Sequence, residues 1–147
     1  MFRPIRVLHV DDRPEYGEIV TAYLAEHDEP FTVVTKTTPN AALETLAEEP
    51  FDCLVTDYEM PEMEVIELLS VVQRRYPDLP VILLTAKGNE SIASDALAAR
   101  VAYYIPKDDL TASPAVLSKR ITHAVERQAY SRQFETLVET LPGVVYR

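Results

Sequence analysis

Long apolar runs are missing from this sequence, and so is nearly all cysteine. No stretch of about 18 apolar residues occurs, which speaks against a membrane-spanning helix. The first residues also lack the charged-then-apolar pattern of a secretory leader, so a cytoplasmic location is expected. The single cysteine, Cys53, lies inside an apolar segment; it excludes an internal disulfide and reads as a buried, inert thiol. Basic residues are scarce too. With 14 bases against 24 acids and a net charge of -10, the chain is poorly suited to a nucleic-acid phosphate backbone. Few of those bases are lysine, a balance that adaptation to high salt also produces, although net charge bears on solubility and association rather than on fold.

What is present is a foldable composition. The 147 residues are 47% hydrophobic and 26% charged, which suits one domain with a single sizeable core. Strand-like apolar runs alternate with helical periodicity along it. Ile5 to Val10 is the first strand, and Tyr16, Ile19, Val20, Tyr23 and Leu24 then recur at helical spacing, with Pro14 in the first turn. Phe31 to Thr35 is a short β-branched strand. Thr38-Pro39 reads as a cap and first-turn proline for a helix through Leu43, Leu46 and Ala47. Cys53 to Thr56 is the third strand, and Val65, Leu68, Leu69, Val72 and Tyr76 stripe the helix after it until Pro77 and Pro80 break the pattern.

Val81 to Leu84 is a fourth strand, followed by a helix capped by Asn89, and Ala102 to Ile105 is a fifth with Pro106 at its end, where a missing ladder donor does least harm. Five βα units in strict alternation predict a doubly wound parallel sheet of five strands with helices on both faces. The last helix begins near Ser113-Pro114 and carries Leu117, Ile121, Ala124 and Val125 toward the sheet. A second stripe, Phe134, Leu137, Val138 and Leu141, lies about half a turn round the same helix, so it faces a dimer-mate, a neighbouring domain, or nothing if the end is frayed. The domain boundary is therefore placed near residue 128, before Tyr130 to Gln133.

The chemistry gathers at strand ends. Asp11 and Asp12 follow strand one, Asp57 follows strand three, Thr85 follows strand four and Lys107 follows strand five. In a doubly wound sheet the carboxyl ends of the strands share one edge, which is where such folds bind ligands. Three clustered carboxylates repel one another unless a cation or a proton intervenes. An all-oxygen site of that kind suits Mg²⁺, with a phosphate oxygen completing the set. Thr85 and Lys107 add a hydroxyl and an ammonium, both donors to a phosphoryl group.

In this order and at these strand ends, the acid pair, the Asp57-Tyr58-Glu59-Met60-Pro61 segment, Thr85-Ala86 and Lys107 resemble the receiver domain of two-component response regulators over residues 1 to about 128. The resemblance implies a flavodoxin-like (βα)₅ fold with strand order 2-1-3-4-5, and a phosphoryl group passed from a histidine kinase or phosphotransfer protein to Asp57. Asp12, Asp57 and the backbone carbonyl of Glu59 would bind Mg²⁺, Asp11 acting through water. Thr85 and Lys107 would hold the phosphoryl oxygens, and Tyr104 matches the family's switch aromatic. Glu59 and Lys87 occupy positions that flank the phosphoryl group and tune its hydrolysis. Residues 134–147 are similar to the opening helix and first strand of a PAS sensory domain, implying a linker helix from about residue 129 and a longer sensor or hybrid kinase.

The chain departs from the family at three places. Val65 stands where a glycine is usual eight residues after the acceptor, Arg100-Val101 replaces Gly-Ala, and Asp108 replaces a cis-proline after the lysine. A cis bond without proline costs about 3 kcal/mol, so the Lys107 loop is expected either to shift with a trans bond or to tolerate strain. Two rival readings follow. One is a degenerate receiver that signals by dimerising, through the C-terminal helix, without phosphate. The other is a haloacid-dehalogenase-type phosphatase, against which Asp57-Tyr58-Glu59 stands where Asp-x-Asp is wanted. His9, His27 and His123 show no ligand spacing, and the tyrosines other than Tyr104 read as core.

Overall fold

The computed structural model describes residues 3–25, 30–58, 65–85 and 100–140. Five strands, β1 (Ile5–Val10), β2 (Phe31–Lys36), β3 (Cys53–Asp57), β4 (Val81–Thr85) and β5 (Tyr103–Pro106), form one parallel sheet in the order β2-β1-β3-β4-β5. The described helices are α1 (Pro14–Ala25), α2 (Pro39–Glu48), α3 (Val65–Arg75), α4 (Lys107–Ala112) and α5 (Ala115–Thr140). The expected helix after β4, with its Asn89 cap, lies outside the described residues.

Strand alternation divides the core in two. Leu8, Val10, Leu54, Val81 and Leu83 face α2 and α3, whereas Val7, Cys53, Val55, Ile82, Leu84 and Ile105 face α1 and α5. The central strands β3 and β4 are buried along their whole length, as parallel strands covered on both faces should be. Strands β3 and β4 each run one residue further toward the carboxyl end than the apolar runs suggest, so Asp57 and Thr85 close them instead of opening the loops.

Local chemistry fixes the ends of the elements. Thr38 caps α2, its hydroxyl oxygen accepting from the Ala41 N–H at 3.1 Å, with Pro39 in the first turn. Gly17 lets α1 lie close on β2, because a Cβ there would meet Cγ2 of Thr35 at 2.8 Å. That close approach seats the start of α1 directly behind the Asp11-Asp12 loop. Ile19, placed on the core stripe by periodicity, is instead on the rim and exposed, since Val20 and Leu24 already fill the contact.

The departures have structural answers. Val65 opens α3 with ordinary backbone and packs into the core; the loop before it, 59–64, lies outside the described residues. The Lys107–Asp108 bond is trans. Pro106 stands as the cap of α4, whose first turn holds Asp108 and Asp109 near the positive helix end. The chain thus turns into a helix where the family has its cis-proline.

Helix α5 is continuous through the expected boundary. Leu117, Ile121 and Ala124 are buried against the sheet, while Tyr130, Phe134 and Leu137 are 73%, 58% and 56% exposed. Arg132 reaches Asp78 at 3.3 Å and ties the helix to the loop after α3.

Arg100 is the one described non-glycine residue in the left-handed region, with φ of 56°. Such a backbone costs an L-residue roughly 1–2 kcal/mol, partly offset by the entropy that glycine loses on folding. Arg100→Gly is expected to stabilise the fold by about 0.5–1 kcal/mol, measured as an increased urea midpoint at unchanged slope.

Candidate functional site

Asp11, Asp12, Asp57 and Lys107 meet at the carboxyl edge of the sheet. Register explains the convergence: Val10 pairs with Thr56 across β1 and β3, Asp57 with Leu84, and Thr85 with Pro106. The residues that end each strand therefore stand side by side. One carboxylate oxygen from each of Asp11, Asp12 and Asp57 lies within 4.8 Å of the others.

The three acids are held differently. Asp11 is fully buried, its Oδ1 accepting from the Arg13 N–H at 3.0 Å and its Oδ2 from Lys107 Nζ at 3.2 Å. Both of its oxygens are engaged by the protein. Asp12 is exposed on the loop. Asp57 is nearly as buried as Asp11, and Lys107 Nζ stands 3.1 Å from its Oδ1, an ion pair without hydrogen-bond alignment. That Oδ1 finds no hydrogen-bond partner among the described residues.

Burial pushes the Asp57 carboxyl up to about 6; the Lys107 ammonium opposes the shift, and Asp11 and then Asp12 add to it. Lys107 titrates above its ordinary value, because Asp57 and Asp11 favour its charge by more than burial penalises it. The ammonium is charged, and the Asp57 carboxyl titrates at about 6.

Thr85 is fully buried at the end of β4. Tyr104, on β5, packs its ring against the α2/α3-side core, and its buried hydroxyl makes no hydrogen bond among the described residues. Glu59 and Lys87 lie outside the described residues, and so does His27.

Two neighbours were not legible as site residues. Tyr16 reads as a core tyrosine by periodicity, yet its ring lies under Lys107, with Nζ 3.9 Å from the ring centroid. Its place in the first turn after the acid pair is the only signal the sequence offers. His9 is buried beside the site on β1, its Nδ1 3.4 Å from the Thr35 hydroxyl; burial, then the Lys107 charge, lowers it to about 4, so it is neutral. His123 pairs with the Tyr103 hydroxyl on the flank of the sheet, away from the carboxylates.

Residues 7–121 match the family model of the response regulator receiver domain. The chain belongs to that family. It is similar to the DNA-binding transcriptional regulator NtrC of Proteus hauseri, 34% identical over 107 residues covering 72% of this chain and 22% of that protein. It is also similar to a protein-glutamate methylesterase/protein-glutamine glutaminase of Rhodospirillum centenum, 33% identical over 111 residues covering 74% of this chain and 28% of that protein. This receiver thus spans about a quarter of the length of such curated relatives. Among solved structures, the CheY-like receiver of Methanospirillum hungatei JF-1 superposes with a TM-score of 0.77 at 23% identity, covering 88% of this chain and 99% of that one, a likeness of fold.

The receiver's carboxylates fit a hard divalent cation. The donor set is all oxygen, and a buried carboxylate oxygen on Asp57 has no hydrogen bond among the described residues.

Because the native state binds a proton at Asp57 more tightly than the unfolded chain, stability falls as pH rises from about 4 to about 6. Removing the ionisation removes that loss. Asp57→Asn is expected to stabilise the metal-free protein at pH 7 by about 2–3 kcal/mol. The gain should disappear below pH 4 in a series of thermal melts.

Proposed function

We propose that Asp57 is the phosphoacceptor of a two-component phosphorelay. One observation carries the reading: a buried carboxylate at the end of β3 faces a charged Lys107 at 3.1 Å, with two more carboxylates alongside. Attack by an Asp57 oxygen on a partner's phosphohistidine forms the O–P bond and breaks the P–N bond, the electron pair leaving with the imidazole. Transfer of this kind depends mainly on in-line positioning and charge stabilisation. Lys107 supplies a fixed cation for the phosphoryl oxygens, and the buried Thr85 hydroxyl a donor.

Asp12, Asp57 and the Glu59 carbonyl would hold Mg²⁺, with Asp11 acting through water. Bound there, the ion would neutralise the clustered carboxylates and the phosphoryl charge. Tyr104 follows Thr85 in this reading: as the hydroxyl turns to the phosphate, the ring moves into the space it leaves. The Tyr104 hydroxyl supports this, since it has no hydrogen bond to the described residues that would have to break for the ring to move. Glu59 and Lys87 flank the phosphoryl group and slow its hydrolysis. The domain is regulatory, not an enzyme acting on a separate substrate, and works in the cytoplasm with a histidine kinase or phosphotransfer protein.

Residues 129–147 are read as a linker helix and the start of a PAS-like domain in a larger sensor or hybrid kinase, 141–147 lying outside the described residues. The exposed Tyr130, Phe134 and Leu137 on α5 also favour a homodimer through this helix. Neither role needs direct contact with nucleic acid.

Incubation with Mg²⁺ and acetyl phosphate is expected to give a single phosphoryl adduct by intact mass. Asp57→Asn should abolish it, and chelation of Mg²⁺ should slow its formation at least tenfold. The Glu59→Ala/Lys87→Ala variant should still form the adduct but lose it several-fold faster. No adduct under any condition would leave the dimerisation module as the better reading, and steady turnover of a small phosphomonoester would favour the phosphatase.

A further inference from the structure

Lys107 is held on three sides, and only two of them are carboxylates. Nζ is 3.2 Å from Asp11 Oδ2, 3.1 Å from Asp57 Oδ1 and 3.9 Å from the centroid of the Tyr16 ring. Lys107 is buried and Tyr16 half-buried, so the contact is largely screened from water, where cation–π attraction is strongest.

Tyr16 is rigidly tied to the acid pair. It lies in the first turn of α1, its N–H donates to the Arg13 carbonyl at 3.0 Å, and the Arg13 N–H in turn donates to Asp11 Oδ1 at 3.0 Å. Gly17, next along the chain, seats this turn on β2. The ring thus belongs to the same short assembly that positions Asp11. On the other side, Lys107 begins α4 with Asp108 after it, without the proline that usually fixes this backbone.

From this geometry we infer that Tyr16 is a positioning residue for phosphoryl transfer, its ring face holding the Lys107 ammonium over the reacting carboxylate. The inference rests on Asp57 being the acceptor. A π-face attracts a cation without demanding one hydrogen-bond direction. The ammonium can therefore turn from the free Asp57 carboxylate to a phosphoryl oxygen without leaving its place. The contact needs the ring and not the hydroxyl. Nothing in the chain other than Asp11 and Tyr16 restrains Nζ once Asp57 has reacted, among the described residues.

The test compares wild type, Tyr16→Phe, Tyr16→Leu and Tyr16→Met, each checked for folding by its amide NMR spectrum. Two quantities are read: the initial rate of adduct formation with Mg²⁺ and acetyl phosphate, and the proton shift of the Lys107 ε-methylene, which a ring face moves upfield. Wild type and Tyr16→Phe should share the rate and the upfield shift. Tyr16→Leu and Tyr16→Met should lose the shift and react roughly tenfold more slowly, the size expected for a partly desolvated cation–π contact. Equal rates in all four proteins, with an adduct in wild type, would overturn the inference and leave the acceptor reading intact. A Tyr16→Phe variant as slow as Tyr16→Leu would overturn it in favour of the hydroxyl. No adduct in wild type would overturn the acceptor reading, and this inference with it.

Discussion

The ammonium of Lys107, set between Asp11 and Asp57, is the interaction on which the rest of the site depends. It joins residues from opposite ends of the chain, 96 positions apart in the case of Asp11, and closes the carboxyl edge of the sheet. Two buried carboxylates a few ångströms apart would repel strongly in a low dielectric. One shared cation makes the pair tolerable, yet leaves Asp57 only half compensated: its Oδ1 has the Lys107 ion pair but no hydrogen bond among the described residues, and its carboxyl is shifted up to about 6. The site is held together but not satisfied. Such stored electrostatic cost is common where chemistry is done.

The fold supplies that placement by simple means. Parallel pairing lines up the strand ends, and alternation sends one set of side chains to α2 and α3 and the other to α1 and α5. These features were legible because periodicity and βα alternation are local signals that tertiary packing reinforces. The strand order itself came from the family resemblance and is the order observed. Edge details were less legible. The one-residue extensions of β3 and β4 depend on register with neighbouring strands, which no local pattern encodes. The exposure of Ile19 depends on how far α1 sinks onto β2, which Gly17 and Thr35 decide together.

The candidate site was legible for a different reason. Acids, a threonine and a lysine at consecutive strand ends are visible as exceptions to apolar runs, so Asp11, Asp12, Asp57, Thr85 and Lys107 stand out without coordinates. Tyr16 did not, because an aromatic at helical spacing looks like core whether it packs on leucine or on an ammonium. The route of the chain at Lys107 was also closed to sequence reasoning. Asp108 left both a shifted loop and a strained bond open, and the answer, a trans bond leading into α4 with Pro106 as its cap, rests on the favourable placing of Asp108 and Asp109 in a first turn.

On the proposed reading, Asp57 is a desolvated carboxylate only partly neutralised by Lys107, which leaves it open to a further cation and a phosphoryl group. A carbon-13 NMR titration of the Asp57 carboxyl in metal-free protein tests it most directly. The expected midpoint is near 6, displaced well downward when Mg²⁺ is added. A midpoint near the ordinary value of about 4, unmoved by Mg²⁺, would contradict it.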